Sequence, residues 1–350
     1  KAIGTTIDWL DETIGINTTL DNANQVFAIK EVLVLVATFS AIASMFALFM
    51  ILIKIPFFTS IAHPEIILER AGSVKTGWKW WKGAIITILI AGLTYPFMTQ
   101  LGHGLLSLPE MTVFRMTIGN GFFSWYLILI IIMLLTTILP WRKAKKLNIP
   151  KDYCDLGLST PENKDRFDWV LLGKSAIVVA CMILFMYLQC IICEKAFRLD
   201  FRFIWPFFKG FSGERFIQLL VYLPIFILFF VLNNSKIFAQ MRNSGANKPG
   251  FKGFLSCWWR NALLMIGGIL LLILVEYIPF FMGIGPGMDL LFSSTFGGPF
   301  MSLMIVFVPQ VLVFSLLCTF AYRKTGSVFV GALTVAVLAC WIITGGSAIL

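Results

Sequence analysis

The run SAIVVACMILFMYLQCIIC (175–193) decides the fold: nineteen residues without a charge, stopped by Lys174 on one side and by Glu194 and Lys195 on the other. A helix rises about 1.5 Å per residue, so a run of this length matches the roughly 30 Å of hydrocarbon in a bilayer. Seven more runs of the same kind lie at 32–53, 83–101, 122–139, 216–232, 261–282, 299–321 and 327–343. The runs 216–232 and 327–343 sit at the lower limit of a crossing. Together they predict an all-α fold, a polytopic helical membrane bundle of about eight transmembrane helices. The segment 203–211 (FIWPFFKGF) is apolar but too short to cross, and reads as interfacial.

Composition points the same way. Of 350 residues 58% are hydrophobic and 13% charged, with mean hydropathy +0.86, against roughly 45–50% apolar and about 25% charged in soluble domains. The net charge of +10 would suggest nucleic acid in a soluble protein. Here the basic residues flank the apolar runs, where they orient helices and meet anionic lipid, so nucleic acid is excluded as a partner and the lipid bilayer is the expected one.

Counting Lys and Arg between spans gives the orientation. The connections 54–82, 140–174, 233–260 and 322–326 hold twenty, and the remaining segments hold eight. Basic connections stay cytoplasmic, which predicts a cell-membrane protein with both termini external. One connection disobeys: 194–215 carries Lys195, Arg198, Arg202, Lys209 and Arg215 on the external side. Either a span nearby is miscounted or that cluster has a task. Trp78, Trp80 and Trp81 among Lys75, Lys79 and Lys82 read as an interfacial anchor, as does Arg142–Lys146 behind Trp141.

Residues 1–31 differ from the rest and are read as an amphipathic connector or surface helix, leaving 32–350 as the transmembrane domain. Ile3, Ile7, Leu10 and Ile14 form one apolar stripe, Gly15 ends the helix, and Asp21 is placed to cap the next one. Residue 1 is Lys1 and no signal peptide is visible, so the chain is expected to be part of something longer.

Charges and amides within spans are the default functional candidates, because burying them in hydrocarbon is expensive. Glu276 lies before Tyr277 and Pro279, either lining a cavity or standing at the interface. Gln310 follows Pro309 in mid-span, suited to bridging helices by hydrogen bonds or to touching a substrate. The densest cluster is Glu194, Lys195, Arg198, Asp200 and Arg202. Glu194 and Arg198 are spaced to pair on one helix face, and Asp200 and Arg202 add opposite charges beyond. That makes either a self-neutralising interfacial network or an external polar site.

Named chemistry is poorly supported. His63 and His103 fall on opposite sides of the membrane, without HExxH or DxD. Cys190 and Cys193 form CxxC inside a spanning run, where Cys packs as a small apolar residue. GxSxG, Walker and GxGxxG motifs are missing. No catalytic residue, metal ligand or cofactor is therefore assigned. Gly283, Gly285, Gly287, Gly297 and Gly298 mark an external loop or a re-entrant turn.

The stretch AYRKTGSVFVGALTVAVLACW (321–341) resembles the last core helix of the CPBP intramembrane protease family, and Glu194 with Arg198 resembles that family's EExxxR element. Position 193 is Cys193, and Val335 stands where the family's His would fall, so the resemblance implies at most an inactive relative. NQVFAIKE (24–31), LDFRFIWPFFKGF (199–211) and YRKTGSVFVGA (322–332) also resemble the multi-pass C-terminal region of bacterial membrane proteins that carry an N-terminal α/β-hydrolase domain. This likeness implies a membrane module that anchors or accompanies an upstream hydrolase domain in the same polypeptide and holds no complete active site. A transporter or permease subunit is the alternative reading.

Overall fold

The computed structural model describes residues 2–15, 27–64, 76–108, 112–147, 152–199, 201–202, 207–243, 248–283 and 298–349. The expected cap Asp21, most of the glycine-rich turn after Gly283, and Asp200 lie outside them. The helices are α1 (Ala2–Ile14), α2 (Phe27–Leu52), the single turn α3 (Pro56–Thr59), α4 (Gly77–Leu106), α5 (Thr117–Lys146) and α6 (Trp169–Phe197). They continue as α7 (Gly213–Asn234), α8 (Gly250–Phe281), α9 (Gly298–Thr325) and α10 (Phe329–Gly346). Each of the eight predicted runs falls in its own helix long and apolar enough to cross a membrane. Gly15, at φ +66°, ends α1 as expected.

The short run 216–232 gains length at its end. After α7 the chain continues through one turn of π-helix, Ser235–Gln240, so the span extends into its polar flank. The run 327–343 needs no extra length, because α10 does not face lipid. Of its most apolar window 89% is buried inside the protein, against 28–44% for the other spans. It packs on α6, α7 and α9.

Lipid tails are as apolar as leucine, so helices in a bilayer associate by close fit and not by escape from water. The tightest crossings here use glycine. A Cβ built on Gly268 of α8 would lie 2.8 Å from the Gly92 amide nitrogen of α4, and one on Gly331 of α10 would lie 2.9 Å from Cys318 Cα of α9. Six helices close a ring in this way: α4 on α5, α5 on α7, α7 on α10, α10 on α9, α9 on α8, and α8 back on α4. Helix α6 packs on the outer side of α10, and α2 on α6.

The basic connection 194–215 holds no additional span among the described residues, and one of its five cations, Arg215, is held by packing. Arg215 donates from Nη1 to the carbonyls of Thr344 (2.5 Å), Gly345 (3.2 Å) and Ser347 (3.1 Å), the carbonyls that a helix leaves without partners at its end. A cation is also favoured at the negative end of α10. Within the segment 203–211, expected to be too short to cross, Phe207–Phe208 (β2) pairs antiparallel with Phe201–Arg202 (β1), and Phe208 is buried against Trp341. Of the three anchoring tryptophans, Trp78 and Trp81 are exposed. Trp80 instead turns inward and donates to the Met241 carbonyl at 3.2 Å, which ties α4 to the end of the π-helical turn.

The connection 152–168 folds into two single turns, Tyr153–Leu156 and Pro161–Asn163, that close the basic end of the bundle. The Gly157 carbonyl accepts from the Val328 amide at 3.0 Å and from Ser327 Oγ at 3.2 Å, which seats the start of α10. Buried Asp168 organises the loop. It accepts from the Leu171 amide (2.9 Å), Thr160 Oγ1 (3.2 Å) and Asn163 Nδ2 (3.1 Å), and so caps α6. Burial alone would raise its pKa, but these donors outweigh burial and hold the carboxyl below its ordinary value. A lowered folded pKa stabilises the protein above the unfolded value of about 3.9, and that stability is lost as pH falls through the folded pKa. Melting temperature should therefore drop as pH goes below about 4, and Asp168→Asn should flatten the drop. An unchanged acid limb in that variant would count against Asp168.

Candidate functional site

The six-helix ring encloses a cavity of about 310 Å³. Its wall follows from helical periodicity. On α5 the lining residues Phe122, Trp125, Tyr126, Leu129, Met133 and Thr136 recur every three or four positions, so one face of the helix looks inward. On α4 the inward face carries Gly83, Thr87 and Ala91 beside Ile86 and Ile90, and these small side chains leave the room that the aromatic faces of α5 and α7 would otherwise fill. Tyr126 stacks flat on Phe229 of α7, ring centroids 3.9 Å apart, and Trp125 Nε1 donates to Thr94 Oγ1 at 3.1 Å. These contacts fix the aromatic wall in place.

Few polar groups reach the cavity, and among the described residues no acidic side chain lines it. Gln310 stands on the wall, 7% exposed, and its Nε2 has no hydrogen-bond partner. The helix-bridging role expected for it is therefore not made by that nitrogen. The other polar groups gather where the cavity meets the surface. Half-buried Lys236 lies on the π-helical turn, with Nζ 3.3 Å from the Oγ1 of exposed Thr136 and 3.4 Å from Gln240 Oε1. Gln240 Nε2 in turn donates to Thr137 Oγ1 at 3.3 Å. A π-turn adds a residue to the local winding and rotates the side chains after it, and such turns concentrate at functional sites.

The opposite end of the ring is closed by a polar network. Asn120, fully buried, donates to Ser107 Oγ (3.0 Å) and the Phe114 carbonyl (3.2 Å), and accepts from Tyr222 OH. Tyr222 OH also accepts from the Met116 amide at 3.2 Å, and Gln218 Oε1 from the Arg115 amide at 3.1 Å. Arg115 and Glu214 form an ion pair outside this network. Ile349 bridges to Met116 there as well.

Of the six polar residues singled out from the sequence, Gln310 alone among the described ones lines the cavity. Glu276 is fully buried on α8 and lies off the cavity wall. Glu194 and Arg198 do not pair. Arg198 is the C-cap of α6 at φ +54°, ψ +28°, a left-handed conformation that turns the chain out of the helix, so the spacing that would align the two charges is broken. Arg202 belongs to β1, and its side chain, like all of Asp200, lies outside the described residues. Cys190 is buried and donates to the Phe208 carbonyl at 3.0 Å, as a packed thiol does. Among the described residues, no group of three or more His, Cys, Asp and Glu is placed to hold a metal ion.

Sequence reasoning missed Lys236, Thr136 and the aromatic wall. Lys236 was counted among the basic residues that follow a span, and its one distinguishing signal is that the preceding run is too short to end there.

The fold and the cavity define a class, the multi-pass helical membrane domain with an interhelical apolar cavity. Compared with protein-family models, curated proteins and solved structures, the chain matches none of them.

Proposed function

We propose that this membrane domain admits a lipid-like apolar molecule into its helical ring and holds it there. The observation that carries the reading is the cavity itself, an aromatic and aliphatic wall in which, among the described residues, one buried amide donor, Gln310 Nε2, has no hydrogen-bond partner. A buried donor without a partner costs on the order of 1–3 kcal/mol, and a ligand carbonyl or hydroxyl relieves it. Mostly apolar walls with few convergent polar groups are the general character of small-molecule sites. The module would then present its guest to an enzyme at the membrane, and the likeness to hydrolase-associated membrane regions supports an upstream α/β-hydrolase-like domain as that enzyme. Helix α1 fits a docking role, since Trp9 and Ile14 on it are exposed.

A transporter is the second reading, favoured by a ring closed at one end by the Asn120–Tyr222 network and open at the other beside Lys236. Passage would require that network to break, so flux of the bound molecule across a proteoliposome separates the two readings.

The test fills the cavity. In Val311→Phe a ring replaces a lining isopropyl group next to Gln310. The purified variant in nanodiscs should retain at least tenfold less co-purifying lipid-like ligand by mass spectrometry than the parent protein. Equal retention would refute the proposal.

A further inference from the structure

A buried cation lies outside the cavity wall. Arg242 comes just after the π-helical turn, is 2% exposed, and does not line the cavity. Its two neighbours in the chain are pinned. The Met241 carbonyl accepts from Trp80 Nε1 of α4 at 3.2 Å, and Asn243 Nδ2 donates to Asn261 Oδ1 of α8 at 3.0 Å. Asn261 Nδ2 in turn donates to Thr319 Oγ1 of α9 at 3.2 Å, so the backbone at Arg242 is fixed among three helices. The guanidinium lies over the ring of Tyr322 on α9, 5.8 Å from its centroid, and Nη2 donates to the Tyr322 hydroxyl at 2.7 Å. Its Nε and Nη1 have no hydrogen-bond partner, and among the described residues no carboxylate pairs with it.

A buried carboxyl or amine escapes an unpaired charge by changing its protonation, but a guanidinium stays charged. An uncompensated charge inside a membrane protein is expensive, so intramembrane cations pair or mark a ligand path. The packing around Arg242 holds such a charge where, among the described residues, no protein group answers it, and this points to an anion from outside the chain. The level of the site in the bundle indicates which anion. Tyr322 is three residues from the end of α9, at the basic end closed by residues 152–168, and Arg323 and Lys324 follow it directly. Basic pockets between helices at that level meet the phosphates of lipid headgroups. A planar fork of N–H donors also suits two oxygens of one phosphate better than a point charge does. We infer that Arg242 forms an enclosed site for a phosphate group at the basic end of the bundle. Phosphate oxygens accept from Nε and Nη1, and Tyr322 fixes the guanidinium through Nη2. The phosphate belongs to a membrane lipid or is a free ion, two sources with the same chemistry at the site.

The test uses the full chain purified in detergent, stripped of lipid and kept in phosphate-free buffer. Its melting temperature is followed while inorganic phosphate, dioleoyl-phosphatidylglycerol or dioleoylglycerol is added, because a ligand that binds the folded state raises it saturably. A phosphate compound should raise it and dioleoylglycerol, which has the same chains without the phosphate, should not. A rise with phosphatidylglycerol alone assigns the site to a headgroup, and a rise with inorganic phosphate assigns it to the free ion. Arg242→Lys keeps the charge but loses the fork, and should need at least tenfold more ligand for half-saturation. Arg242→Met should show no saturable rise. Lys252→Gln removes an exposed cation at the same end and should titrate like the parent protein. No rise with either phosphate compound, an equal rise with dioleoylglycerol, or a loss in Lys252→Gln as large as in Arg242→Lys would overturn the inference. Should Arg242→Met fail to fold, an unchanged half-saturation in Arg242→Lys overturns it as well. Val311→Phe should leave this titration unaltered, since Arg242 is not on the cavity wall, so the phosphate site and the cavity reading stand or fall separately.

Discussion

Gly268→Leu is expected to abolish the folded bundle. The new side chain must enter a contact where Cβ alone would stand 2.8 Å from the Gly92 amide nitrogen and 2.9 Å from Ala91 Cβ. Backbone cannot swing aside as the end of a flexible side chain can, so α4 and α8 must separate and the ring that encloses the cavity must open. Overpacking a core costs about 1–3 kcal/mol when side chains absorb it, and a backbone clash at a helix crossing belongs at or above the top of that range. The variant should lose its monodisperse peak in size-exclusion chromatography or melt far below the parent. Gly104→Leu is the control. Gly104 lies on the same helix as Gly92, and nothing stands within 4 Å of a Cβ built there. A Gly268 variant as stable as the Gly104 variant would refute the crossing.

Replacing Arg215 by Met should have the second largest effect. The guanidinium serves three carbonyls, of Thr344, Gly345 and Ser347, at the end of the most buried helix. Leaving a buried acceptor unmet costs about 1–3 kcal/mol, and bonds to a charged donor lie toward the upper part of the scale. A loss of about 2–4 kcal/mol is expected, read as a drop in unfolding midpoint, with faster amide hydrogen exchange confined first to the last turn of α10. Arg215→Lys should recover part of it, because an ammonium can reach one or two of the carbonyls but not hold the planar fork. Loss of stability without faster exchange at that turn would show that Arg215 acts elsewhere.

These two residues show how far the linear sequence could be read. Arg215 was visible as one of five basic residues on a connection that the charge count placed on the external side. Its role was not legible, because the carbonyls it serves lie about 130 residues later in the chain. Gln310 was legible as a polar group in mid-span, and it does reach the cavity, but without the hydrogen bond to another helix that a buried amide ordinarily makes. Glu194 and Arg198 were misread for a local reason: pairing at four residues presumes that the helix continues, and α6 ends by turning left-handed at Arg198 itself. Trp80 belongs to a run of aromatic and basic residues whose other tryptophans face out, and nothing in that run marks it as the one that holds Met241.

The sequence by itself determined the class, the eight crossings and the ends of most helices, because the hydrocarbon thickness and the need to satisfy every backbone group within a helix are properties of the chain and the solvent alone. Tertiary structure alone decided that α10 is the most buried helix, that the seven other spans do not share its burial, and where the cavity lies. The reason is physical. Lipid and protein interior are equally apolar, so hydropathy cannot separate a helix that faces one from a helix that faces the other. Only the fit of small residues such as Gly92, Gly268 and Gly331 against their neighbours across the bundle makes that choice.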